Sequence, residues 1–154
     1  MNRREQIRMT DAEVRELLEQ ERTVICATIG RDGWPHLMPL WYVLRDGELW
    51  AWTYAASQKV RNLERDARAT LQVETGTHYQ QLRGVMIKAD VELHRDTQTV
   101  AQLGLEIMSR YRQPTDRVEE IAATVARQAP KRVALRFVEC SRASWDHRKL
   151  ASVQ

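Results

Sequence analysis

Residues 57–66 carry the pattern with the most chemical content in the chain. Ser57 is a typical helix N-cap residue, and two apolar residues follow at a spacing of three, which predicts a short helix. The start of a helix offers free backbone amides and the positive end of the helix dipole, and Lys59 and Arg61 lie beside this one. Together these features predict a binding site for a phosphate group.

The two cations allow a second interpretation. Lys59 and Arg61 could instead be solvated charges on an amphipathic helix, and the spacing favours neither possibility. Side chains two positions apart on a helix point to different faces, so Lys59 and Arg61 are not expected to bind the same phosphate.

A second pattern, Pro35-His-Leu-Met-Pro-Leu-Trp41, predicts an unusual strand. Alternate residues from Pro35 to Trp41 share one face, and each proline lacks the amide that a ladder hydrogen bond needs. A strand face with unpaired edges could receive a planar ring system. The pattern alone nevertheless favours an ordinary edge strand whose Trp41 is buried in the core.

The other candidates for chemistry give weaker indications. Trp50, Trp52 and Tyr54 share one face of a predicted strand, which is more typical of a packing face or a dimer interface than of a cofactor site. The four histidines lack metal-ligand spacing, so no metal site is predicted. The usual motifs of hydrolases, kinases and dinucleotide-binding enzymes are absent. An enzyme of this kind is expected to rely on a bound cofactor for the difficult chemical step.

Turns and apolar periodicity predict the elements that position these residues. A capping box of Thr10 and Glu13 begins a helix over residues 10–21. Helical spacing predicts a helical insertion over residues 97–129, and a polar tail with one aromatic residue, Trp145, ends the chain. Strands are predicted over residues 23–29, 34–44, 48–54, 69–74, 84–93 and 132–140. Six strands joined mostly by hairpins favour a mainly β fold, a closed antiparallel barrel with covering helices.

Length and composition limit the classes of function. With 154 residues the chain is expected to form one domain over residues 1–154, with a flexible basic N-terminus over residues 1–9. The net charge of +3 is interleaved with acidic residues, which argues against nucleic-acid binding. No apolar stretch is long enough to cross a bilayer, so no membrane partner is expected. Cys26 and Cys140 stand alone in β-like apolar runs, and we expect buried thiols in a cytoplasmic protein.

Four short motifs, taken in order, resemble the pyridoxamine 5′-phosphate oxidase-like superfamily, and most closely its flavin/deazaflavin oxidoreductase B branch. The resemblance runs from Thr10 to Leu150 and depends on the order and spacing of the motifs. They are Gly33–Trp41, Ser57–Leu63, Leu82–Val85 and Trp145–Leu150. The resemblance implies a split β-barrel and an isologous homodimer whose interface forms two equivalent cofactor clefts.

The resemblance also implies roles for individual residues. Ser57 and Lys59 match the positions that receive the cofactor phosphate, and Pro39 and Trp41 match the strand that lines the ring system. Three more positions are expected to complete the cleft: Tyr79, Arg83 and Trp145. The predicted cofactor-binding set also includes Met38, Thr53 and Arg61. No residue is assigned as catalytic.

The cofactor and the reaction follow from the same resemblance. The family uses FMN, the deazaflavin coenzyme F420 and occasionally haem, and the segment Leu82–Val85 with the arginine-rich composition favours F420. The short tail around Trp145 differs from that of true pyridoxamine phosphate oxidases, so their activity is not expected. The implied function is a reductase that passes hydride from F420 to a conjugated small organic acceptor. FMN in the same cleft, or a non-catalytic flavin-, deazaflavin- or haem-binding protein, are the alternatives.

Overall fold

The computed structural model describes residues 1–153, and an antiparallel sheet with helices on it forms the fold. The seven strands of these residues are β1 (Val24–Ile29), β2 (Pro35–Leu40), β3 (Val43–Arg45), β4 (Glu48–Tyr54), β5 (Arg68–Thr75), β6 (Arg83–His94) and β7 (Arg132–Asp146). The helices are α1 (Arg3–Gln6), α2 (Asp11–Gln20), α3 (Gln58–Arg65), α4 (Thr97–Arg110) and α5 (Val118–Gln128). The strand order is β2-β1-β5-β6-β7-β4-β3.

The sheet is curled because two consecutive strands lie at its opposite edges. Leu40 ends β2 and Val43 begins β3, yet these strands occupy the two ends of the strand order. A link of this length spans at most about 11 Å. The sheet must therefore curl into an open barrel whose edges approach each other at Trp41 and Tyr42.

The prediction of six strands is corrected to seven. The segment predicted as one strand over residues 34–44 is divided at Trp41 and Tyr42, where the chain crosses from one sheet edge to the other. The last strand also extends beyond the predicted residue 140 to Asp146, so Trp145 lies in a strand and not in a polar tail. Pairing with β6 continues to Asp146, and this ladder explains the greater length.

The prolines of β2 cost the sheet no ladder hydrogen bond. The Gly30 amide donates to the Trp34 carbonyl oxygen at 2.9 Å, which fixes the alternation of bonded and non-bonded pairs in the β1–β2 hairpin. Pro35 and Pro39 pair with Ile29 and Ile25 and fall at the non-bonded positions. Their nitrogens therefore point away from β1. The predicted edge strand is confirmed, but the expectation that its prolines deny bonds to the neighbouring strand is wrong.

Apolar residues form two cores on the two sides of the sheet. The barrel interior is filled by alternate strand residues, and α2 covers one opening with Val14, Leu17 and Leu18. On the outside, α4 and α5 pack against β4 and β7, with Trp52 at the centre of this second core. The aromatic face of β4 is thus a packing face, and helices of the same chain cover it. Tyr54 at its end stays half exposed.

Two further sequence expectations have clear structural outcomes. Cys26 is buried inside the barrel, but Cys140 is exposed, which corrects the expectation of two buried thiols. Cys140 is the extra residue of a β-bulge between β6 and β7, and its side chain lies near Asp90 on the outer surface. In residues 1–153 no helix is long and apolar enough to cross a membrane.

Candidate functional site

The N-terminus of α3 contains an unsatisfied hydroxyl group. Ser57 takes the N-cap position as predicted, but its side chain makes no capping hydrogen bond. Its Oγ is buried and has no hydrogen-bond partner among the described residues. A buried hydroxyl without a partner is costly, so this position favours an external acceptor that would also meet the free amides of the first helical turn.

Lys59 is directed into the protein. Its residue is 8% exposed, and Nζ donates to the Thr53 Oγ1 at 2.9 Å. Burial lowers the pKa of the ammonium group, and the positive charge of Arg132 acts in the same direction. The interpretation of Lys59 as a solvated charge is therefore wrong. Arg61 is exposed on the opposite side of the helix, where that interpretation is correct.

A hydrogen-bond network fixes α3 against the barrel. The Asn62 side chain donates to Thr28 Oγ1 on β1 at 3.1 Å, and its oxygen accepts from Gln58 and Arg65, each at 2.9 Å. Val60 and Leu63 are buried beside it, as the spacing predicted. The helix that presents Ser57 and Lys59 is thereby held in one position.

A cleft of about 530 Å³ opens next to these residues at the gap of the barrel. Thr53 links the two places, because it lines the cleft and accepts the hydrogen bond of Lys59. The other lining residues come from the ends of β2 and β4, from the starts of β1 and β7 and from the helical insertion: Thr23, Pro39, Leu40, Trp41, Trp52, Met108, Gln128 and Arg132. The walls are mixed: apolar side chains, with Trp41 and Trp52 among them, alternate with four polar or charged ones, namely Thr23, Thr53, Gln128 and Arg132.

The indole of Trp41 is held flat by a tyrosine from α4. The ring of Trp41 stacks on Tyr111 with centroids 4.4 Å apart and planes inclined by 8°. The Tyr111 hydroxyl donates to the Arg22 carbonyl oxygen at 2.7 Å and accepts from Arg110 at 2.8 Å. Trp41 itself is 48% exposed, so the interpretation of Trp41 as a core residue is wrong. The arrangement gives the cleft a rigid aromatic wall.

The structure brings together only part of the predicted set. Pro39, Trp41 and Thr53 line the cleft, and Ser57 and Lys59 lie beside it. Met38 is on the opposite face of β2 from Pro39, and it does not line the cleft.

The remaining predicted residues, Tyr79, Arg83 and Trp145, lie together elsewhere. Trp145 packs on Gly84, next to Arg83, and Tyr79 contacts His147 at a ring distance of 4.6 Å. Trp145 is 13 positions along β7 from Arg132, which lies at the cleft. Arg83 is nearer, because its guanidinium donates to the Gln20 side chain at 3.3 Å and Gln20 precedes the cleft residue Thr23 by three positions. None of the three residues lines the described cleft.

Arg132 is the main cleft residue that the sequence patterns missed. Its guanidinium carbon lies 4.4 Å from the ring centroid of Trp52 and 4.1 Å from that of Tyr54, and Nε donates to Gln128 at 2.9 Å. Arg132 opens β7 and pairs with Tyr54 of β4. This long-range pairing brings Arg132 to the cleft, and no local sequence pattern predicts that position. Gln128 and Met108 reach the cleft in the same indirect way.

A curled antiparallel sheet, open at one seam, with a cleft and a helix N-terminus at that seam, defines a split-barrel protein. The profile of the pyridoxamine 5′-phosphate oxidase family matches residues 10–139. The chain therefore belongs to this family, and the resemblance found in its motifs is confirmed at that level. The search of curated proteins found no significant match.

Solved structures share the fold over nearly the whole chain. A conserved hypothetical protein, Rv2991 from Mycobacterium tuberculosis, is 38% identical, with 98% of this chain and 93% of that chain covered and a TM-score of 0.87. A structure described as an F420 reductase is 19% identical, with 83% and 94% covered and a TM-score of 0.65. A FAD-binding protein from Mesorhizobium loti is 17% identical, with 88% and 94% covered and a TM-score of 0.66.

Proposed function

We propose that the protein is an oxidoreductase that binds the deazaflavin coenzyme F420 and passes hydride to a conjugated small organic acceptor. The observation that carries the proposal is the buried, unpaired Lys59 next to the partnerless hydroxyl of Ser57, both beside an aromatic-walled cleft. A buried cation with no acidic partner is expected to bind an anion. The shared fold of an F420 reductase supports the choice of cofactor.

Each part of the site has a separate task. Lys59, the Ser57 hydroxyl and the first amides of α3 hold the cofactor phosphate. Trp41, fixed by Tyr111, sets the plane against which a ring system lies, and the apolar walls exclude water. When bound, the deazaflavin supplies the hydride. No aspartate, glutamate or histidine lines the described cleft, and no side chain is assigned as the proton donor.

A second subunit completes the proposed site. Tyr79, Arg83 and Trp145 do not line the described cleft of their own chain, and a two-fold axis can bring them to the cleft of a partner. Exposed apolar residues of β2, such as Leu37 at 57% exposure, are available for such an interface. We therefore propose a homodimer with two equivalent clefts. We also propose a cytoplasmic location for the protein.

The cofactor is tested by comparing two ligands on the same purified protein. We expect added F420 to lose or shift its fluorescence on saturable binding, and FMN to separate from the protein on gel filtration. Stoichiometric yellow FMN retained through purification would reverse the ranking and make the protein an FMN oxidoreductase. Failure to bind either molecule would contradict the assignment of the site.

A non-catalytic cofactor binder is the second candidate. It is favoured by the same absence of an acidic or histidine side chain from the described lining of the cleft. A turnover assay separates the two functions: an oxidoreductase consumes reduced F420 in proportion to a conjugated acceptor, whereas a binder protects it unchanged.

A further inference from the structure

We propose that Arg132 forms a second anion site, distinct from the phosphate site at α3, that binds a carboxylate on a molecule occupying the cleft. The inference rests on the proposed function, because it concerns the chemistry of the ligands in the same cleft. It adds a feature that the proposed function does not include: one of those ligands carries a carboxylate at the end of the cleft formed by β4, β7 and α5.

Comparison with two other arginines that contact tryptophan shows what is unusual about Arg132. Arg45 lies 4.8 Å from the Trp50 ring centroid and forms an ion pair with Glu106 at 2.6 Å. Arg136 lies 5.9 Å from the same centroid and forms an ion pair with Glu48 at 2.8 Å. Arg132 contacts Trp52, yet no carboxylate within residues 1–153 pairs with it.

The guanidinium of Arg132 has unused donors at the cleft. Nε donates to Gln128, Tyr54 is the other polar side chain beside the guanidinium, and none of the ion pairs among the described residues involves Arg132. Two aromatic rings cover part of the group, which is half-buried. A partly buried guanidinium without a counter-ion is unfavourable, and an oxyanion in the cleft would satisfy both its charge and its donors.

The neighbouring groups favour a carboxylate over a second phosphate. The helix N-terminus and the Ser57 hydroxyl belong to the Lys59 site, and the polar groups next to Arg132 are the Gln128 amide, the Tyr54 hydroxyl and the threonines of the cleft. Lys59 is near enough for the two positive charges to repel each other. A planar fork of N–H groups matches the two oxygens of a carboxylate. The apolar walls next to it suit a flat organic body attached to that carboxylate.

The test uses benzoate as a planar carboxylate and benzamide as its neutral analogue, with the cofactor-free protein and tryptophan fluorescence as the signal. We expect benzoate, but not benzamide, to produce a saturable change. Arg132→Met should weaken benzoate binding by about ten- to a hundredfold, because a charge-assisted contact is lost. Arg136→Met is the matched control on the same strand, and it should leave the affinity within about twofold.

A second variant keeps the test decisive if Arg132→Met does not fold. Arg132→Lys retains the charge and the apolar stem but not the fork, and roughly tenfold weaker binding is expected. Melting curves establish that each variant is folded. Benzoate binding that is equal in wild type and in both folded variants would overturn the proposal, and so would equal binding of benzamide.

Cofactor titrations identify which ligand carries the carboxylate. If it belongs to the acceptor, Arg132→Met leaves the affinity for F420 unchanged and benzoate still binds to the loaded protein. If it belongs to the cofactor, the same variant weakens F420 binding and bound cofactor excludes benzoate. Because the benzoate experiment needs no cofactor, its failure is distinct from a failure to bind F420.

Discussion

Lys59 places a positive charge where residues 1–153 supply one hydrogen-bond acceptor, the Thr53 hydroxyl. Moving an unpaired ammonium group out of water costs several kcal/mol, and a surface lysine would avoid that cost. The cost is offset when a ligand brings the counter-charge. Lys59 is therefore a binding residue more than a stabilising one.

The first prediction follows from this balance. Because Lys59 is buried, Lys59→Met is preferable to an alanine variant, since methionine keeps the apolar stem and leaves no cavity. We expect cofactor affinity to fall by about ten- to a hundredfold, as for the loss of a charge-assisted phosphate contact. The free energy of unfolding should be unchanged or higher, because the buried unpaired charge is removed. Titration of the variant and its melting curve measure the two effects.

Arg68→Ala is the control for this variant. The Arg68 side chain is 72% exposed, and its ion pair is with Asp66, away from the cleft. Its removal should leave cofactor affinity nearly unchanged. Equal affinities for Lys59→Met, Arg68→Ala and wild type would show that the phosphate binds elsewhere.

The lowered pKa of Lys59 predicts how cofactor binding depends on pH. The ammonium form binds the phosphate, and it is lost as pH rises through the pKa of the folded protein. Because that pKa lies below the ordinary value of 10.5, affinity should begin to fall at a lower pH than a free lysine would give. Lys59→Arg stays charged, so its affinity should be flat over the same range. A wild-type profile as flat as that of Lys59→Arg would contradict the assignment.

Local spacing was sufficient to predict the residues of the site that lie close together in the sequence. Ser57 and Lys59 were singled out because a helix cap and a cation beside it are local patterns, whereas Trp41 entered the predicted set through the family resemblance. The burial of Lys59 was not predictable, since it depends on which strands α3 packs against. Arg132 could not be found because its place in the cleft depends on the pairing of β7 with β4.

At the scale of elements, α4 supports the cleft from behind. A Cβ atom at Gly104 would lie 2.4 Å from the ring of Trp52, so the glycine allows the helix to approach that indole closely. Trp52 in turn contacts the guanidinium of Arg132. The helical insertion was predicted from its spacing, but its contact with the cleft was not, because periodicity shows which face of a helix is apolar and not what that face meets.

Gly104→Ala tests this packing. Replacing an ordinary helical glycine by alanine stabilises a helix by up to about 1 kcal/mol. Here the added methyl group must displace a buried indole, and such overpacking costs about 1–3 kcal/mol. We expect a net loss of stability in denaturant unfolding. Ser109→Ala, at an exposed position of the same helix, should have almost no effect, and a more stable Gly104→Ala variant would contradict the close packing.

At the scale of the whole molecule, the predicted cofactor residues are divided between two regions. Trp41 lines the cleft and Lys59 lies beside it, whereas Trp145 packs on Gly84, 13 positions along β7 from the cleft residue Arg132. The sequence motifs predict one site for all of them, and within the described residues Trp145 does not reach the cleft. The family resemblance implies that a second copy of the chain supplies this residue.

We therefore predict a homodimer in solution. Light scattering should give about twice the chain mass of 18.0 kDa at micromolar concentration. Trp145→Ala should then weaken cofactor binding even though this residue is remote from the cleft of its own chain. A strictly monomeric protein that binds the cofactor at full strength would exclude the shared cleft.

The outward nitrogens of Pro35 and Pro39 determine how two copies can meet. In this register the backbone nitrogens of β2 that point to the free edge belong to Pro35, Leu37 and Pro39. Of these three residues only Leu37 has an amide hydrogen, so a strand added at this edge would lack two of its three hydrogen-bond donors. The opposite edge strand, β3, is three residues long and too short to template a partner. Neither edge strand, β2 or β3, is therefore suited to extending the sheet into a second molecule. The predicted homodimer should therefore form through the faces of the sheet and not through its edges, and a two-fold contact of this kind limits the assembly to two chains.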